Sequence, residues 1–306
     1  MATECKKPYI TAAGLAFGCG HCAPCEIKKR EVWVTKLMLE GTQHQEAVFV
    51  TLTYDENNVP LTEDGIPTLR RNDLVLFHKR LRKAVEPLKL RNFNRSEYGE
   101  TTDRPHYHTL IFNYPNCLQG STNTTQMHET GSCCPPCDQI RATWGLGNIV
   151  VQPFCEQNAR YVAKYSTKNL RQKDNPDLNG REPEKTWGSN KPGLGTEFLD
   201  DFASAIMEHH LDELGDVPKG VRVGKKIHPL GPTLTRKLRV KVGKEPNAPP
   251  EELLRMVEEL RPIKEKAFAS ATPGNKYFEF QSVLIDQGEG RRIQLAAKTR
   301  KGKGKL

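Results

Sequence analysis

The pattern of apolar and polar positions predicts a central region that mixes strands with helices. Residues 47–54 are almost continuously apolar or β-branched, which is typical of a buried central strand. Between residues 72 and 86, apolar positions recur every three or four residues and predict an amphipathic helix. Residues 90–98 and 105–112 have strand composition, and the short segment 99–104 between them indicates a hairpin turn. We therefore expect an α+β structure, with a central antiparallel β-sheet flanked by helices.

Outside this region the pattern is weaker, and it divides the chain into further segments. The elements it predicts are, in chain order, helix 24–39, strand 149–151, helix 156–170, a loop at 174–195, helix 199–214, strands within 221–242 and helix 249–260. The expected division is a Cys-rich N-terminal segment and helix at 1–45, a core at 46–175 with a Cys-containing insertion at about 113–140, a C-terminal extension at 176–295 and a basic tail at 296–306.

The strand at residues 105–112 carries a candidate metal site. Side chains on a strand alternate between faces, so His106 and His108 project on the same side. The predicted hairpin brings Glu97 close to both, and a carboxylate beside two imidazoles suits a hard divalent cation such as Mg²⁺ or Mn²⁺. Glu100, in the turn, competes with Glu97 for this role. Two alternatives stay open: a pair of surface histidines on an edge strand, and a cross-strand salt bridge for Glu97.

A second chemical pattern lies on the predicted helix at residues 156–170. One face of that helix holds Tyr161, Lys164, Tyr165 and Lys168. Two phenols one turn apart can act in turn at a single point, and the lysines can offset phosphate charge. The alternative is an ordinary amphipathic helix whose tyrosines pack in the core.

The balance of charge favours a polyanionic partner. The chain has 306 residues, with 46 Lys and Arg against 37 Asp and Glu, a formal net charge of +9 and a pI near 9.0. The polar side of the helix at 72–86 carries the candidate DNA-binding residues Lys79, Arg80, Arg82 and Lys83. We expect the basic tail to bind nucleic acid non-specifically. No apolar run approaches the roughly 18 residues that a membrane span needs, so we expect no membrane partner.

Nine cysteines fall mainly into two groups. Cys19, Cys22 and Cys25 have C-x2-C-x2-C spacing, which lets several thiolates face one metal such as Zn²⁺. The second group, which lies in the insertion, comprises Cys133, Cys134 and Cys137. We expect the second group or His21 to supply the remaining ligand of the first. Loop cysteines with no metal are the alternative, and an odd cysteine count without a secretion signal argues against a disulfide scaffold.

Together these motifs resemble the HUH endonucleases (His, hydrophobic, His), which initiate rolling-circle replication. The nearer likeness is to the initiators of small circular single-stranded DNA phages, the microviruses, of the gokushovirus type. It covers about residues 15–195 and depends on the segments 19–25, 49–54, 97–108 and 161–165. Residues 191–195, KPGLG, match more weakly, because family members carry an arginine there.

The resemblance implies an HUH endonuclease fold, with the two histidines on its middle strand and the tyrosines facing the metal. It also implies a nick at a single-stranded or supercoiled circular viral origin, after which a tyrosine is joined to the 5′ phosphate. The free 3′ hydroxyl would prime a host DNA polymerase, a host helicase would separate the strands, and the displaced strand would be rejoined into a circle in the host cell cytoplasm. The absence of a P-loop fingerprint agrees with chemistry that needs no ATP.

Other functions are compatible with parts of this pattern. A plasmid or transposon initiator would use the same chemistry. A zinc-ribbon DNA-binding regulator without nuclease activity would use only the cysteines and the basic residues. A metallo-hydrolase would activate water instead of a tyrosine. The tyrosine pair separates these functions, because neither a regulator nor a hydrolase has a use for it.

Overall fold

The computed structural model describes residues 4–124, 132–163, 178–272 and 274–294. The strands are β1 Tyr9–Ile10, β2 Ala16–Phe17, β3 Ala47–Thr53, β4 Arg91–Tyr98, β5 Pro105–Phe112, β6 Thr122–Asn123, β7 Ile149–Pro153, β8 Thr186–Gly188, β9 Gly220–Val223 and β10 Lys226–Pro229. The helices are α1 Ala23–Thr42, α2 Arg71–Ala84, α3 Pro135–Trp144, α4 Glu156–Val162, α5 Phe198–Glu208, α6 Gly231–Lys241, α7 Pro250–Ser270 and α8 Lys276–Gln287. Within these described ranges, no helix combines the length and the apolar content that crossing a membrane requires.

The largest sheet has six strands in the order β6-β7-β3-β5-β4-β8, and each neighbouring pair is antiparallel. The apolar strands β3 and β5 lie at its centre, where side chains on both faces are buried. The β4–β5 hairpin sets Glu97 opposite His106. The pairing of β3 with β5 sets Thr51 opposite His108. The register of three strands therefore fixes the surroundings of both histidines.

The two faces of this sheet pack against different helices. On one face, Tyr107 and Ile111 join a buried cluster with apolar side chains of α2 and α3. On the other face, Leu110 joins a second cluster with apolar side chains of α1 and α4. Side chains alternate along β5, so His106 and His108 lie on the face that α1 and α4 cover. The fold thus places the candidate metal ligands and the start of the tyrosine helix on the same side of the sheet.

The chain divides into two compact units. One comprises Met1–Val32 and Phe202–Leu306, and the other comprises Trp33–Asp201. The first unit contains the β1–β2 and β9–β10 hairpins and helices α6 to α8. There, Ala267 of α7 and Phe280 and Leu284 of α8 form a buried cluster. The second unit contains the six-stranded sheet.

The expected α+β arrangement, with its antiparallel sheet, flanking helices and Cys-rich N-terminus, is confirmed. Strands β3, β4, β5 and β7 and helices α1 and α2 nearly coincide with the segments expected from the sequence. Helix α4 begins at Glu156, as expected. The remainder of that expected helix, residues 164–170, lies outside the described residues.

The structure corrects three expectations for the other segments. Strands β9 and β10 account for the first part of the expected 221–242 region, but residues 231–241 form helix α6, because Leu234 and Leu238 are buried one helical turn apart. The expected loop at 174–195 contains β8, which extends the sheet by pairing with β4. The insertion ends in α3, a helix that starts at two prolines and buries Trp144.

Candidate active site

Glu97 and the two histidines of β5 converge on one face of the sheet. Glu97 Oε1 lies 3.3 Å from His106 Nε2 and 2.9 Å from His108 Nε2. The three potential ligand atoms all lie within 4.8 Å of one another. The hairpin register produces this group, and strand alternation aligns the second histidine with the first. Glu100 is exposed in the turn and is not part of the group.

The hydrogen-bond partners of His106 leave room for a cation. Its Nδ1 lies 3.1 Å from the backbone carbonyl oxygen of Arg104, which can only accept, so Nδ1 carries the proton. Neutral His106 then presents a lone pair at Nε2 to the carboxylate oxygen of Glu97. Two lone pairs that face each other at 3.3 Å require a positive charge beside them. One carboxylate and two imidazoles therefore fit a divalent cation.

His108 is held in a fixed orientation with its Nε2 toward Glu97. Burial lowers the pKa of His108 to about 4, so the imidazole is neutral at physiological pH. Thr51 Oγ1 lies 2.9 Å from Nδ1, and a hydroxyl can donate to or accept from that nitrogen. Phe49 stacks on the imidazole, with ring centroids 5.4 Å apart and an interplanar angle of 9°. These contacts are the kind that orient a metal-binding histidine.

Arg95 keeps Glu97 ionised. Its Nη2 lies 2.5 Å from Glu97 Oε2 in a largely buried ion pair. Burial alone would raise the pKa of Glu97, but hydrogen bonds from His106 and His108 and the charge of Arg95 hold it well below its usual range. Sequence reasoning missed Arg95. The available signal was its position two residues before Glu97, which places both side chains on the same face of β4.

Helix α4 brings the phenol of Tyr161 to the same point. The Tyr161 hydroxyl donates a hydrogen bond to Glu97 Oε1 at 2.6 Å. The phenol ring meets the imidazole of His108 edge-on, with centroids 4.8 Å apart. Burial and the negative charge of Glu97 raise the pKa of Tyr161, so the phenol is protonated at neutral pH. Arg95 donates from Nη1 to the backbone carbonyl of Tyr161 at 3.2 Å and thereby links α4 to β4.

Several other residues singled out in the sequence lie outside this group. Tyr165, Lys164 and Lys168 fall outside the described residues, as does the basic tail. The exposed residues Lys79, Arg80, Arg82 and Lys83 lie on α2, which packs against the opposite face of the sheet from Glu97.

Arg80 has a structural role at the end of α3. Its Nε donates to the carbonyl of Thr143 at 2.7 Å, and its Nη2 donates to that of Trp144 at 3.1 Å. These are carbonyl groups in the last turn of α3, where the helix itself supplies no donors. The guanidinium of Arg80 is therefore engaged by the protein before any DNA is present.

The N-terminal cysteines converge with a fourth that the sequence pattern did not indicate. The sulfur atoms of Cys5, Cys19, Cys22 and Cys25 all lie within 4.8 Å of one another. The expectation that His21 or the second cysteine group completes this set was wrong, because Cys5 does so. Backbone N–H groups of His21 and Cys22 point at Cys19 Sγ from 3.5 and 3.4 Å and lower the pKa of that thiol to about 6. A thiolate at this position is the form that binds metal.

Known proteins similar to this chain take part in phage replication. Residues 47–170 match a family model for replication-associated proteins of the ORF2 type. Over 204 residues, 64% of this chain and 62% of the relative, the sequence is 28% identical to replication-associated protein VP4 of Bdellovibrio phage phiMH2K. It is also 28% identical over 201 residues to replication-associated protein ORF2 of Spiroplasma virus 4, covering 64% of this chain and 60% of that protein.

A third relative, replication-associated protein ORF4 of Chlamydia phage 1, is 25% identical over 50% of this chain and 38% of its own length. The chain thus spans less than two thirds of the length of the curated relatives it matches. No solved structure is significantly similar to the chain. The resemblance to replication initiators of the microvirus type is confirmed by these matches.

Proposed function

We propose that this relative of phage replication-associated proteins is a replication initiation endonuclease of the HUH fold. It nicks a single-stranded or supercoiled circular viral DNA origin, forms a 5′-phosphotyrosine intermediate and primes rolling-circle replication. The observation that carries the proposal is the placement of the Tyr161 hydroxyl 2.6 Å from a carboxylate that both histidines face. A nucleophile and a metal-ligand set at one point are what phosphodiester transesterification requires.

His106, His108 and Glu97 would hold Mg²⁺ or Mn²⁺. A divalent cation bound there would polarise a non-bridging oxygen of the scissile phosphate. The chain prepares the site in two ways. Thr51 and Phe49 hold the imidazole of His108, and Arg95 keeps Glu97 charged. Because Arg95 acts through Glu97 and the backbone of Tyr161, it is a positioning residue.

Tyr161 is the proposed nucleophile. Its oxygen forms a bond to phosphorus while the bond from phosphorus to the 3′ oxygen breaks, and that oxygen leaves with a proton. The phenol has to lose its own proton, and the acceptor that its hydroxyl contacts is Glu97 Oε1. Because the pKa of Tyr161 is raised, we propose that Lys164 and Lys168 help to stabilise the phenolate.

Tyr165 is the proposed second nucleophile. It lies four residues after Tyr161, a spacing that places both phenols on one face of a helix. Tyr165 would attack the regenerated origin after one round, and the released 3′ end would displace the first tyrosine and close a circle. A host helicase and a host DNA polymerase would supply the other steps in the host cell cytoplasm. Lys79, Arg80, Arg82 and Lys83 remain proposed DNA contacts, with Arg80 also holding the end of α3.

We assign Zn²⁺ to the N-terminal cysteines. A tetrahedral ion with Zn–S bonds of about 2.3 Å separates its sulfur ligands by about 3.8 Å. Cys5 Sγ and Cys22 Sγ lie 3.8 Å apart. Four protein ligands leave no open coordination position, which favours a structural ion over a catalytic one.

The direct test of nicking is a search for protein that stays on DNA. The chain is incubated with labelled circular single-stranded DNA that carries its own gene, in Mn²⁺, and then boiled in detergent. We expect labelled protein of increased mass, and none when a chelator is present from the start. A nick without protein-bound label would indicate a hydrolase that activates water.

The main alternative is a zinc-ribbon DNA-binding regulator without nuclease activity. The N-terminal cysteine cluster favours it. It gives no reason for a phenol, a carboxylate and two imidazoles to meet on one face of the sheet. Retention of DNA through boiling separates the two functions, because a regulator releases DNA when it unfolds.

Thr51→Val should weaken Mn²⁺ binding about ten- to a hundredfold, because it removes the hydroxyl that orients His108 while keeping the side-chain shape. Calorimetric titration of DNA-free protein measures this. Thr53→Val is the matched control, since Thr53 lies on the same strand but donates to the carbonyl of Asn148. Equal Mn²⁺ affinities for the two variants would contradict a role of Thr51 in the metal site.

A further inference from the structure

Four cysteines of the insertion and its flanks form a second sulfur cluster. The sulfur atoms of Cys117, Cys133, Cys134 and Cys137 all lie within 4.8 Å of one another. Cys117 Sγ lies 3.6 Å from Cys133 Sγ and 3.9 Å from Cys134 Sγ. A disulfide would bring two sulfurs to about 2.05 Å, and all four cysteines are free. The observed separations bracket the edge of about 3.8 Å expected for four thiolates around Zn²⁺.

The fold brings these residues together from separate places in the chain. Cys117 follows β5, whereas the other three lie at the start of α3. Cys134 is the N-cap of α3 and Cys137 lies in its first turn. Amide groups at a helix N-terminus favour negative charge, and therefore thiolates. The N-terminal cluster has the same feature, because Cys22 and Cys25 flank the start of α1.

The groups around the sulfurs hold the loops of the cluster in place. Thr122, on the edge strand β6, has its hydroxyl 3.3 Å from Cys117 Sγ and also contacts Cys133 Sγ. Gln119 Nε2 donates to the backbone carbonyl of Cys133 at 2.9 Å. The backbone N–H of Cys133 donates to Asp138 Oδ1 at 3.2 Å. Hydrogen bonds of this kind orient the ligands of a metal site.

Burial distinguishes the cluster from a surface group of thiols. Cys117, Cys134 and Cys137 are buried and belong to the hydrophobic core on the α2–α3 side of the sheet. Cys133 is partly buried against that core. A set of soft ligands, closed to solvent and complete with four thiols, suits Zn²⁺ better than a hard cation.

We propose that Cys117, Cys133, Cys134 and Cys137 bind a structural Zn²⁺ ion. Binding releases the thiol protons and ties the segment after β5 to the start of α3. The ion therefore fastens β6, which pairs only with β7 at the edge of the described sheet, to the hydrophobic core. This second site is independent of the proposed nuclease activity. Together with the N-terminal cluster, it gives two zinc ions per chain.

The wild-type chain allows a test that needs no variant. Protein purified without chelator is titrated with an organomercurial thiol reagent while a chromogenic chelator reports released zinc. We expect two equivalents of zinc, released as eight of the nine thiols react. The ninth thiol, the exposed Cys155, should react without releasing zinc. Release of a single equivalent with four thiols, or detection of disulfides in place of free thiols, would overturn the second site.

Serine variants then identify which cluster holds which ion. Cys117→Ser and Cys5→Ser should each reduce zinc to one equivalent, and the double variant should carry none. Cys155→Ser is the matched control and should keep both ions, since serine also caps a helix N-terminus. Two equivalents in Cys117→Ser would overturn the proposal. Should Cys117→Ser fail to fold, the thiol titration of the wild-type chain still decides the question.

Discussion

The Tyr161→Phe, Tyr165→Phe double variant should form no covalent adduct with origin DNA, while it still binds metal and DNA. Phenylalanine keeps the edge-on contact with His108 and the packing against Phe49, so the site retains its shape. It removes only the hydroxyl that donates to Glu97 and that would attack phosphorus. Detergent gels measure the adduct, and Mn²⁺ titration of the same preparation measures the integrity of the site.

The single variants separate the roles of the two phenols. Tyr161→Phe and Tyr165→Phe should each still form an adduct through the remaining tyrosine. Neither should release unit-length circles over a complete cycle, because the second transfer lacks its nucleophile. If the double variant still becomes attached to DNA, another residue is the nucleophile. If one single variant releases circles as the wild type does, that tyrosine has only a structural role.

Substituting alanine for either His106 or His108 should reduce cleavage to background, because the two remaining ligands cannot hold the ion. Glu97→Ala should weaken metal affinity about ten- to a hundredfold or more. It also leaves the buried guanidinium of Arg95 without its carboxylate partner, which should lower thermal stability. Cleavage rates, Mn²⁺ affinity and melting temperature measured on the same proteins distinguish loss of the ion from loss of the fold.

Glu100→Gln is the matched control for the carboxylate. Glu100 follows Glu97 by three residues, but its side chain is exposed and lies outside the ligand group. We expect near wild-type cleavage from this variant. Wild-type nicking by His108→Ala would refute the metal site. A loss in Glu100→Gln without a loss in Glu97→Ala would transfer the ligand role to the turn.

The core of the fold could be predicted because its elements carry strong local signals. The proline at the start of β5, its β-branched and aromatic residues and the polar turn before it determine a hairpin. Strand alternation then places Glu97, His106 and His108 on one face without further information. Strand β8 escaped prediction because it is three residues long and owes its conformation to pairing with β4. Helix α6 escaped because its basic, β-branched residues are also compatible with a strand.

The parts of the sites that could not be predicted depend on contacts between distant residues. Cys5 lies fourteen residues before Cys19, and Cys117 lies sixteen before Cys133, so neither belongs to a local spacing motif. The contact of Thr51 with His108 spans fifty-seven residues and follows only from the pairing of β3 with β5. A ligand supplied by a separate segment becomes visible only when the chain is folded.

The measurement that tests the central claim most directly is the identification of the residue joined to DNA. Trypsin cleaves after Arg160, Lys164 and Lys168, so Tyr161 and Tyr165 fall on separate peptides, 161–164 and 165–168. Wild-type adduct formed on the DNA circle is digested with nuclease and trypsin, and the nucleotide-bearing peptides are sequenced by mass spectrometry. We expect a 5′-phosphonucleotide on the tyrosine of one or both peptides. Cleaved DNA whose 5′ phosphate is free, or is joined to any other residue, would contradict the account.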